Sequence, residues 1–298
     1  MTSTSLPQPA ATARPAAVPD DVVGRRVRSL RKPWQWVLTA VVIVLVLNFG
    51  QTLFTNRSWE WPKVGKWVLH PAILQGVLVT IEATAIAAVA SFVLGVLVAL
   101  ARQSNNVVLR SLAWFYIWVF RSVPLLVVLL FLYNLPNLYP AIGIGIPFGP
   151  QLQVPTTSIL GDLALGALGL TLSETAYAAE VVRSGLLAVD NGQHEAAKAL
   201  GIPRYRQLTR IVLPQALRSI VPSYVNQIIG LIKSSSLLFY VSLLDLFGVA
   251  QNLASTYPTD IIPLLVVATI WYLVLTSLIS IVQFYVERYY NRGLKGAR

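Results

Sequence analysis

Cysteine is absent from this chain of 298 residues, and histidine occurs only twice, at His70 and His194. The chain therefore cannot form a disulfide, a thiolate metal site or a cysteine nucleophile, and two isolated histidines lack the ligand cluster of a zinc site. No GxxxxGK[ST] segment is present, which excludes a P-loop for the phosphates of ATP. No nucleophile is paired with a base, so we expect this chain to bind no cofactor and to catalyse no reaction.

Charged residues are also scarce. They make up 12% of the chain while 55% of the residues are hydrophobic, and the mean hydropathy is +0.65. Soluble domains carry about 25% charge, and a helix needs roughly 20 apolar residues to cross a bilayer. The sequence therefore predicts an all-α integral membrane protein with about six spans. These lie at residues 34–54, 72–101, 111–135, 157–187, 217–244 and 261–287.

The formal net charge of +11 is distributed in a way that predicts the orientation of the spans. Lysine and arginine cluster at the ends of apolar runs, which is typical of membrane proteins rather than of a nucleic-acid surface. Basic residues precede the first span at 25–32 and recur in 102–110 and 188–216. The outer segments 136–156 and 245–260 contain none. We therefore expect both termini to be cytoplasmic, and no nucleic-acid partner.

The chain divides into tails, an additional span and a core. Residues 1–33 are rich in alanine, proline, serine and threonine and are predicted to form a disordered, basic cytoplasmic tail. Residues 34–71 are predicted to form one transmembrane helix and an outer loop, and residues 72–290 a core of five spans. Residues 291–298 are predicted to be a short cytoplasmic tail. The segment 136–156, rich in proline and glycine, is predicted to be an outer loop of the core.

A long polar segment at residues 188–216 interrupts the core. Asp190 or Asn191 can cap a helix here. Gly201 then supplies a left-handed stop, and Pro203 suits the first turn of a second helix. A helix, a tight bend and a second helix are therefore predicted beside the membrane. A DNA-binding helix-turn-helix has the same outline but could not reach a major groove from between two spans. An inert amphipathic linker is the other alternative.

This loop carries a motif with a defined spacing: EAA, three residues, G, nine residues, I, one residue, LP. Its fixed positions are Glu195, Ala196, Ala197, Gly201, Ile211, Leu213 and Pro214. The pattern resembles the EAA motif of the permease subunits of binding-protein-dependent ABC importers. Further segments resemble the branch of that family for polar amino acids (histidine, glutamate, glutamine, arginine, opines). They are 121–126, 179–183, 214–218 and 233–237. The resemblance covers about residues 72–290.

The resemblance implies a five-helix ABC importer permease core, here with one additional N-terminal transmembrane helix, in a bacterial plasma membrane. It implies that the EAA residues contact a dimer of ATP-binding subunits, which would carry ATP and Mg. It also implies a second permease subunit, identical or related, and an extracytoplasmic substrate-binding protein. The expected function is to form the translocation path for a polar amino acid. The alternatives are a permease for another small solute, such as an opine or a sulfur compound, and a secondary transporter.

Several polar groups fall inside the predicted spans, where a charged side chain costs roughly 2.5–3.5 kcal/mol. The candidates for the translocation path are Glu82, Glu174, Glu180, Asn226, Gln227 and Lys233. Glu180 and Arg183 are one turn apart and can instead pair with each other. Glu82 and Glu174 are predicted to lie near the middle of the membrane. An acidic path favours a cationic amino acid such as arginine, lysine or histidine.

Overall fold

The computed structural model describes residues 33–146, 149, 151–156 and 161–290. The tails predicted at 1–33 and 291–298 lie outside these ranges, apart from Pro33. The chain separates into two compact units, of which the first ends at Arg57 and the second begins at Ser58. The first unit contains α1 (Pro33–Thr55). Exposed apolar side chains run along the whole of α1, as expected for a helix surrounded by lipid.

The second unit begins with the short helix α2 (Trp61–Val68) and the long helix α3 (Pro71–Arg102). The remaining helices are α4 (Val107–Ser122), α5 (Leu125–Tyr133), α6 (Leu135–Leu138), α7 (Asp162–Leu187), α8 (Asn191–Ala199), α9 (Arg204–Gln207), α10 (Leu213–Ser234), α11 (Leu246–Thr256) and α12 (Ile261–Tyr290). The strands are β1 (Ala141–Gly145) and β2 (Gln151–Pro155). A 3-10 turn, Ser235–Val241, continues α10, and another, Pro258–Asp260, precedes α12.

Long apolar helices account for most of this fold. Among the described residues, α1, α3 and the segment Pro258–Tyr290 are each long and apolar enough to cross a membrane. Two bent pairs of helices meet the same criteria when each pair is taken together: α4 with α5, and the segment Arg204–Val241 with α11. α7 (26 residues, about 39 Å long) is not among them, and it contains four charged residues. The all-α, multi-pass prediction is confirmed.

The third predicted span, 111–135, is not one continuous helix. α4 ends at Ser122 and α5 begins at Leu125, with an angle of 101° between them. Proline has no N–H to donate, and it disfavours helical geometry in the residue before it. Val123, which precedes Pro124, is accordingly extended, with φ −86° and ψ 129°. Apolar residues predominate in both helices, so a hydropathy profile does not reveal this break.

The outer loop predicted at 136–156 contains a β-hairpin that the sequence reading did not anticipate. β1 and β2 pair antiparallel, with Ala141 opposite Pro155 and Gly145 opposite Gln151. β1 ends at Gly145 and β2 begins at Gln151. The intervening sequence is rich in glycine and proline, residues that favour tight turns.

α3 and α7 form the most extensive helix–helix contact of the core. Both present small buried side chains to the interface, and small residues allow helix backbones to approach closely in membranes. A Cβ atom placed on Gly95 would lie 2.6 Å from the Cβ of Ala178 and 3.0 Å from the backbone nitrogen of Ala179. α10 is joined to the same helix, because the Tyr224 hydroxyl donates to the Ala88 carbonyl at 2.6 Å. α3 is therefore held firmly against both α7 and α10.

On the predicted outer side, a polar cluster attaches α2 to the beginning of α12. The Asp260 carboxylate accepts hydrogen bonds from the Trp67 indole at 2.9 Å and pairs with the Lys63 ammonium at 2.8 Å. Lys63 also pairs with Glu60 at 2.7 Å. The bonds to Asp260 and then to Glu60 raise the pKa of Lys63 above its ordinary value.

Candidate functional site

A cavity of about 340 Å³ lies between the α4–α5 bend, α7 and α10. Pockets for small ligands begin at about this size and typically contain a few polar groups that orient the ligand. The charged and polar side chains of this cavity are Arg121, Ser122, Ser173, Glu174, Gln227 and Ser234. The bend at Pro124 is what brings the end of α4 into the cavity wall. The rest of this description calls it the central cavity.

Glu174 is the one acidic residue of the central cavity. It is the thirteenth of the 26 residues of α7, and therefore at the middle of the helix. Its Oε1 atom is buried and has no hydrogen-bond partner among the described residues. A buried carboxylate oxygen without a partner is costly, and the cost falls if a cation or a hydrogen-bond donor enters the cavity.

Arg121 supplies the opposite charge to the same cavity. Its guanidinium lies over the ring of Tyr177, 5.6 Å from the ring centroid, a geometry that stabilises a cation. Gln227 is half-buried and adds an amide that can donate or accept. The central cavity therefore offers a carboxyl group, a cation, an amide and hydroxyl groups. This is the set of groups that a zwitterionic solute requires.

Glu180 lies in a neighbouring cavity of about 360 Å³, which shares Arg121 and Ser122 with the central cavity. The Glu180 carboxylate accepts hydrogen bonds from the Arg183 guanidinium at 2.7 and 3.0 Å. The Nε atom of Arg102 lies 3.9 Å away. The Glu180–Arg183 pair is thus present, and Glu180 belongs to an ion-pair cluster.

The other candidate path residues lie elsewhere. Glu82 is exposed on α3, on a face that also exposes Leu78 and Ile86. Asn226 and Lys233 are exposed on α10, seven residues apart and so on one face. None of these three lines either of the two cavities described above. Of the six predicted path residues, only Glu174 and Gln227 are brought together in the central cavity.

The loop at 188–216 forms the helix, bend and helix that its sequence predicts. The Asp190 carboxylate caps α8 by accepting from the Gly192 N–H at 2.6 Å. α8 ends in a Schellman motif, in which the Ile202 N–H donates to the Ala197 carbonyl at 2.9 Å and the Gly201 N–H to the Lys198 carbonyl at 3.0 Å. Gly201 has φ +66°, the left-handed conformation that favours glycine.

The loop is anchored to the membrane core on one side. Val189, Val212 and Ala216 are buried in a cluster with Ala99 of α3 and Ala179 of α7. A single wide π turn, Leu208–Val212, includes Ile211 and leads into α10, whose second residue is Pro214. Turns of this kind frequently occur at functional sites. The loop is therefore packed directly against α3 and α7 and is continuous with α10.

The opposite side of the loop is open. Glu195 and Ala196 are exposed on α8, whereas Ala197 is buried. Leu200 and Tyr205 leave 77% and 76% of their surface exposed. Leu213 and Pro214 are exposed at the beginning of α10. Within the described residues, Glu195 forms no ion pair.

Comparison with known proteins identifies the family. The model of the binding-protein-dependent transport system inner membrane component matches residues 91–292, about two thirds of the chain. The chain belongs to this family of permeases. Permeases of this kind are transport subunits of ABC importers in the inner membrane, and a partner ATPase hydrolyses the ATP. The predicted family, class of function and multi-pass membrane location are thereby confirmed.

Two relatives and one solved structure illustrate the similarity. The permease is 35% identical over 268 residues to the arginine transport system permease protein ArgU of Corynebacterium glutamicum, covering 89% of this chain and 83% of that protein. It is 32% identical over 227 residues to the nopaline transport system permease protein NocM of Agrobacterium fabrum, and the alignment covers 76% of this chain and 90% of that protein. Its fold matches a crystal structure of an amino acid ABC transporter with histidines, with a TM-score of 0.63 and 29% identity. The match covers 73% of this chain and 94% of the chain in that structure.

Sequence reasoning did not place several lining residues of the permease cavity. Ser122, Ser173 and Ser234 were not among the predicted path residues, because serine is common in packed membrane helices. Arg121 lies in segment 121–126, which contributed to the family resemblance and not to the predicted path. The signal that could have found this group is Pro124, because a proline after an arginine inside an apolar run marks a helix break whose exposed end can face a cavity.

Proposed function

We propose that this permease forms the translocation path for a cationic amino acid, and that Glu174 binds the substrate's positive charge in the central cavity. The observation that carries the proposal is the buried Oε1 atom of Glu174, which has no partner among the described residues. Ionisable groups inside a membrane are expensive and generally mark a pathway or a pair. Glu180 has its pair, whereas Glu174 has none among the described residues.

The groups around Glu174 suit the remainder of an amino acid. The α-carboxylate can lie toward Arg121 and the hydroxyl of Ser122, while Gln227 and Ser234 accept or donate to the α-ammonium and the side chain. Relatives that transport arginine and nopaline fit this assignment. An opine is the second candidate substrate, supported by the nopaline transport permease alone.

The test is substrate-stimulated ATP hydrolysis by the permease reconstituted with its ATPase and binding protein. Glu174→Gln removes the charge and keeps the shape, so stimulation by arginine, lysine and histidine should require about 10- to 100-fold more ligand, as expected for a charge-assisted hydrogen bond. Stimulation by glutamine should change far less. Glu82→Gln, which removes a carboxylate outside the cavity, is the matched control. An unchanged ratio of arginine to glutamine in Glu174→Gln would refute the assignment.

The exposed side of the loop is the proposed contact for the ATPase. Its small residues Ala196 and Ala199 permit close approach, while Leu200 and Tyr205 provide apolar surface. Glu195 presents an unpaired carboxylate to a partner. Closure of the ATPase dimer, which binds ATP and Mg, would push α8, and the buried cluster around Val212 would carry the motion into the core.

Because the chain contains no cysteine, single cysteines report on this contact directly. We expect Ala196→Cys to cross-link to a cysteine in the ATPase in high yield, and Asn105→Cys, exposed in the connection between α3 and α4, to give none. Glu195→Lys should abolish stimulated hydrolysis, whereas Gln193→Lys, about 200° away around the helix, should preserve it. Equal cross-linking at positions 196 and 105 would contradict the proposed docking.

The remaining assembly follows from the family. The proposal includes two permease subunits, identical or related, and an extracytoplasmic binding protein that delivers the amino acid. Residues 72–290 would form the permease core, with its EAA loop at 188–216, and residues 34–71 an additional transmembrane helix with its outer loop. Tails would flank these segments at 1–33 and 291–298. Co-purification of a tagged permease with an untagged copy would distinguish identical subunits from a related pair.

A further inference from the structure

Two adjoining cavities on the predicted cytoplasmic side are lined by arginine and tryptophan. One, of about 360 Å³, contains Glu180 and is described above. The other, of about 320 Å³, is lined by Arg102, Arg110, Ser111 and Trp114. Arg102 and Trp114 belong to both cavities. The two therefore form a continuous surface at the connection between α3 and α4.

This surface has an excess of positive charge. Arg102, Arg110, Arg121 and Arg183 contribute four positive charges, and Glu180 contributes one negative charge, which leaves +3 for the five residues. Glu180 is already bonded to Arg183 and lies near Arg102. Within the described residues, Arg110 forms no ion pair. The surface is thus complementary to an anion.

The connection between α3 and α4 also borders an apolar groove. An apolar groove of about 520 Å³ lies between α3 and α4 and includes Ala101, Leu109 and Leu112. Ala101 and Leu109 are the chain neighbours of Arg102 and Arg110. The apolar groove and the basic surface therefore meet at the α3–α4 connection.

Aromatic residues place this connection at a membrane–water boundary. Trp114 and Trp118 are stacked, with centroids 6.1 Å apart and planes at 5°. Each leaves about half of its surface exposed (51% and 54%). Tryptophan is enriched at the level of lipid head groups, and basic pockets between helices on the cytoplasmic side suit anionic head groups.

We infer that the α3–α4 connection binds an anionic phospholipid, with its phosphate at Arg102 and Arg110 and an acyl chain in the groove beside Leu112. The arginines recognise the net negative charge of the head group, and the groove is what selects a lipid over a free phosphate. The proposed phosphate contacts, Arg102 and Arg110, lie outside the central cavity and outside the proposed ATPase contact.

The experiment is native mass spectrometry of the full-length permease, purified with its ATPase, in the presence of phosphatidylglycerol or phosphatidylcholine. We expect phosphatidylglycerol to bind preferentially. Arg110→Gln should weaken the binding of phosphatidylglycerol about fivefold, because it removes one interfacial charge. The double variant Arg102→Gln with Arg110→Gln removes two charges and should weaken binding about 30-fold. Arg110→Lys should retain binding, because the charge remains. Leu112→Gln should weaken binding through the groove alone.

Controls separate this site from general attraction. Arg288→Gln removes a charge on α12, outside the proposed site, and should leave binding unchanged. Equal binding of the two lipids, or equal weakening by Arg288→Gln and Arg110→Gln, would overturn the proposal. Equal competition by inorganic phosphate would show a free-anion site and would also overturn it. The Arg110→Gln protein must still co-purify with the ATPase for its lipid binding to be compared. If it does not co-purify, the Arg110→Lys protein, which keeps the charge, provides the test.

Discussion

Replacement of Gly95 by alanine tests the packing that holds α3 against α7. The added Cβ atom would lie 2.6 Å from the Cβ of Ala178, whereas carbon atoms in contact are separated by about 3.5–4.0 Å. The shortfall of about 1 Å cannot be relieved by a rotamer change, because alanine has none and the next neighbour is the Ala179 backbone nitrogen at 3.0 Å. The two helices must separate instead.

Overpacking of this kind typically costs about 1–3 kcal/mol. For about 2 kcal/mol, the apparent melting temperature should fall by about 4–8 °C. The assay is thermal unfolding of the purified permease in detergent. Gly230→Ala is the matched control, because it lies in a spanning helix with nothing within 4 Å of the added atom, and it should melt at or above the wild-type temperature. A Gly95→Ala protein as stable as Gly230→Ala would refute the close contact of α3 with α7.

Two further predictions concern the loops. Gly201→Ala places a side chain at φ +66°, which costs about 1–2 kcal/mol, so stimulated ATP hydrolysis should fall. Ala199→Gly, a control that weakens the helix, should reduce the rate of hydrolysis less. A Gly201→Ala protein with an unchanged rate would contradict the Schellman ending of α8. The Lys63–Asp260 contact should depend on pH. Because the pKa of Lys63 is raised, the contact stabilises α2 below pH 10.5 and is lost as pH rises through the higher folded value. Quenching of Trp67 fluorescence by iodide should therefore increase only above pH 10.5 in the wild type. The Lys63→Met protein should show high quenching at every pH. Quenching that does not depend on pH in the wild type would exclude a stabilising role for the Lys63–Asp260 contact.

The place of a residue along its helix could be predicted from the sequence, but the direction of its side chain could not. Glu174 is the thirteenth of the 26 residues of α7, and Glu82 is the twelfth of the 32 residues of α3. Glu174 enters a cavity and Glu82 is exposed. The faces of a membrane helix are similarly apolar on all sides, so periodicity does not reveal which one is buried. Only packing against α10 and the α4–α5 bend decides it.

Local signals succeeded where each residue has one strong conformational preference. Asp190 as a cap and Gly201 as a left-handed stop are examples, because their side chains act on their own backbone. The α4–α5 bend and the β-hairpin were missed because both depend on how a proline- or glycine-containing segment packs. The motif predicted the loop that contains Glu195, but not the serines of the central cavity, which have no sequence pattern of their own.

The bend between α4 and α5 determines both the width of the central cavity and the position of its positive charge. Five consecutive residues, Arg121 to Leu125, form both the bend and part of the cavity wall. Any rotation of α4 relative to α5 therefore changes the width of the cavity and, in the same movement, the position of the Arg121 guanidinium relative to Glu174. Arg121 and Ser122, the residues proposed to hold the substrate's carboxylate, therefore lie directly beside the break between the two helices.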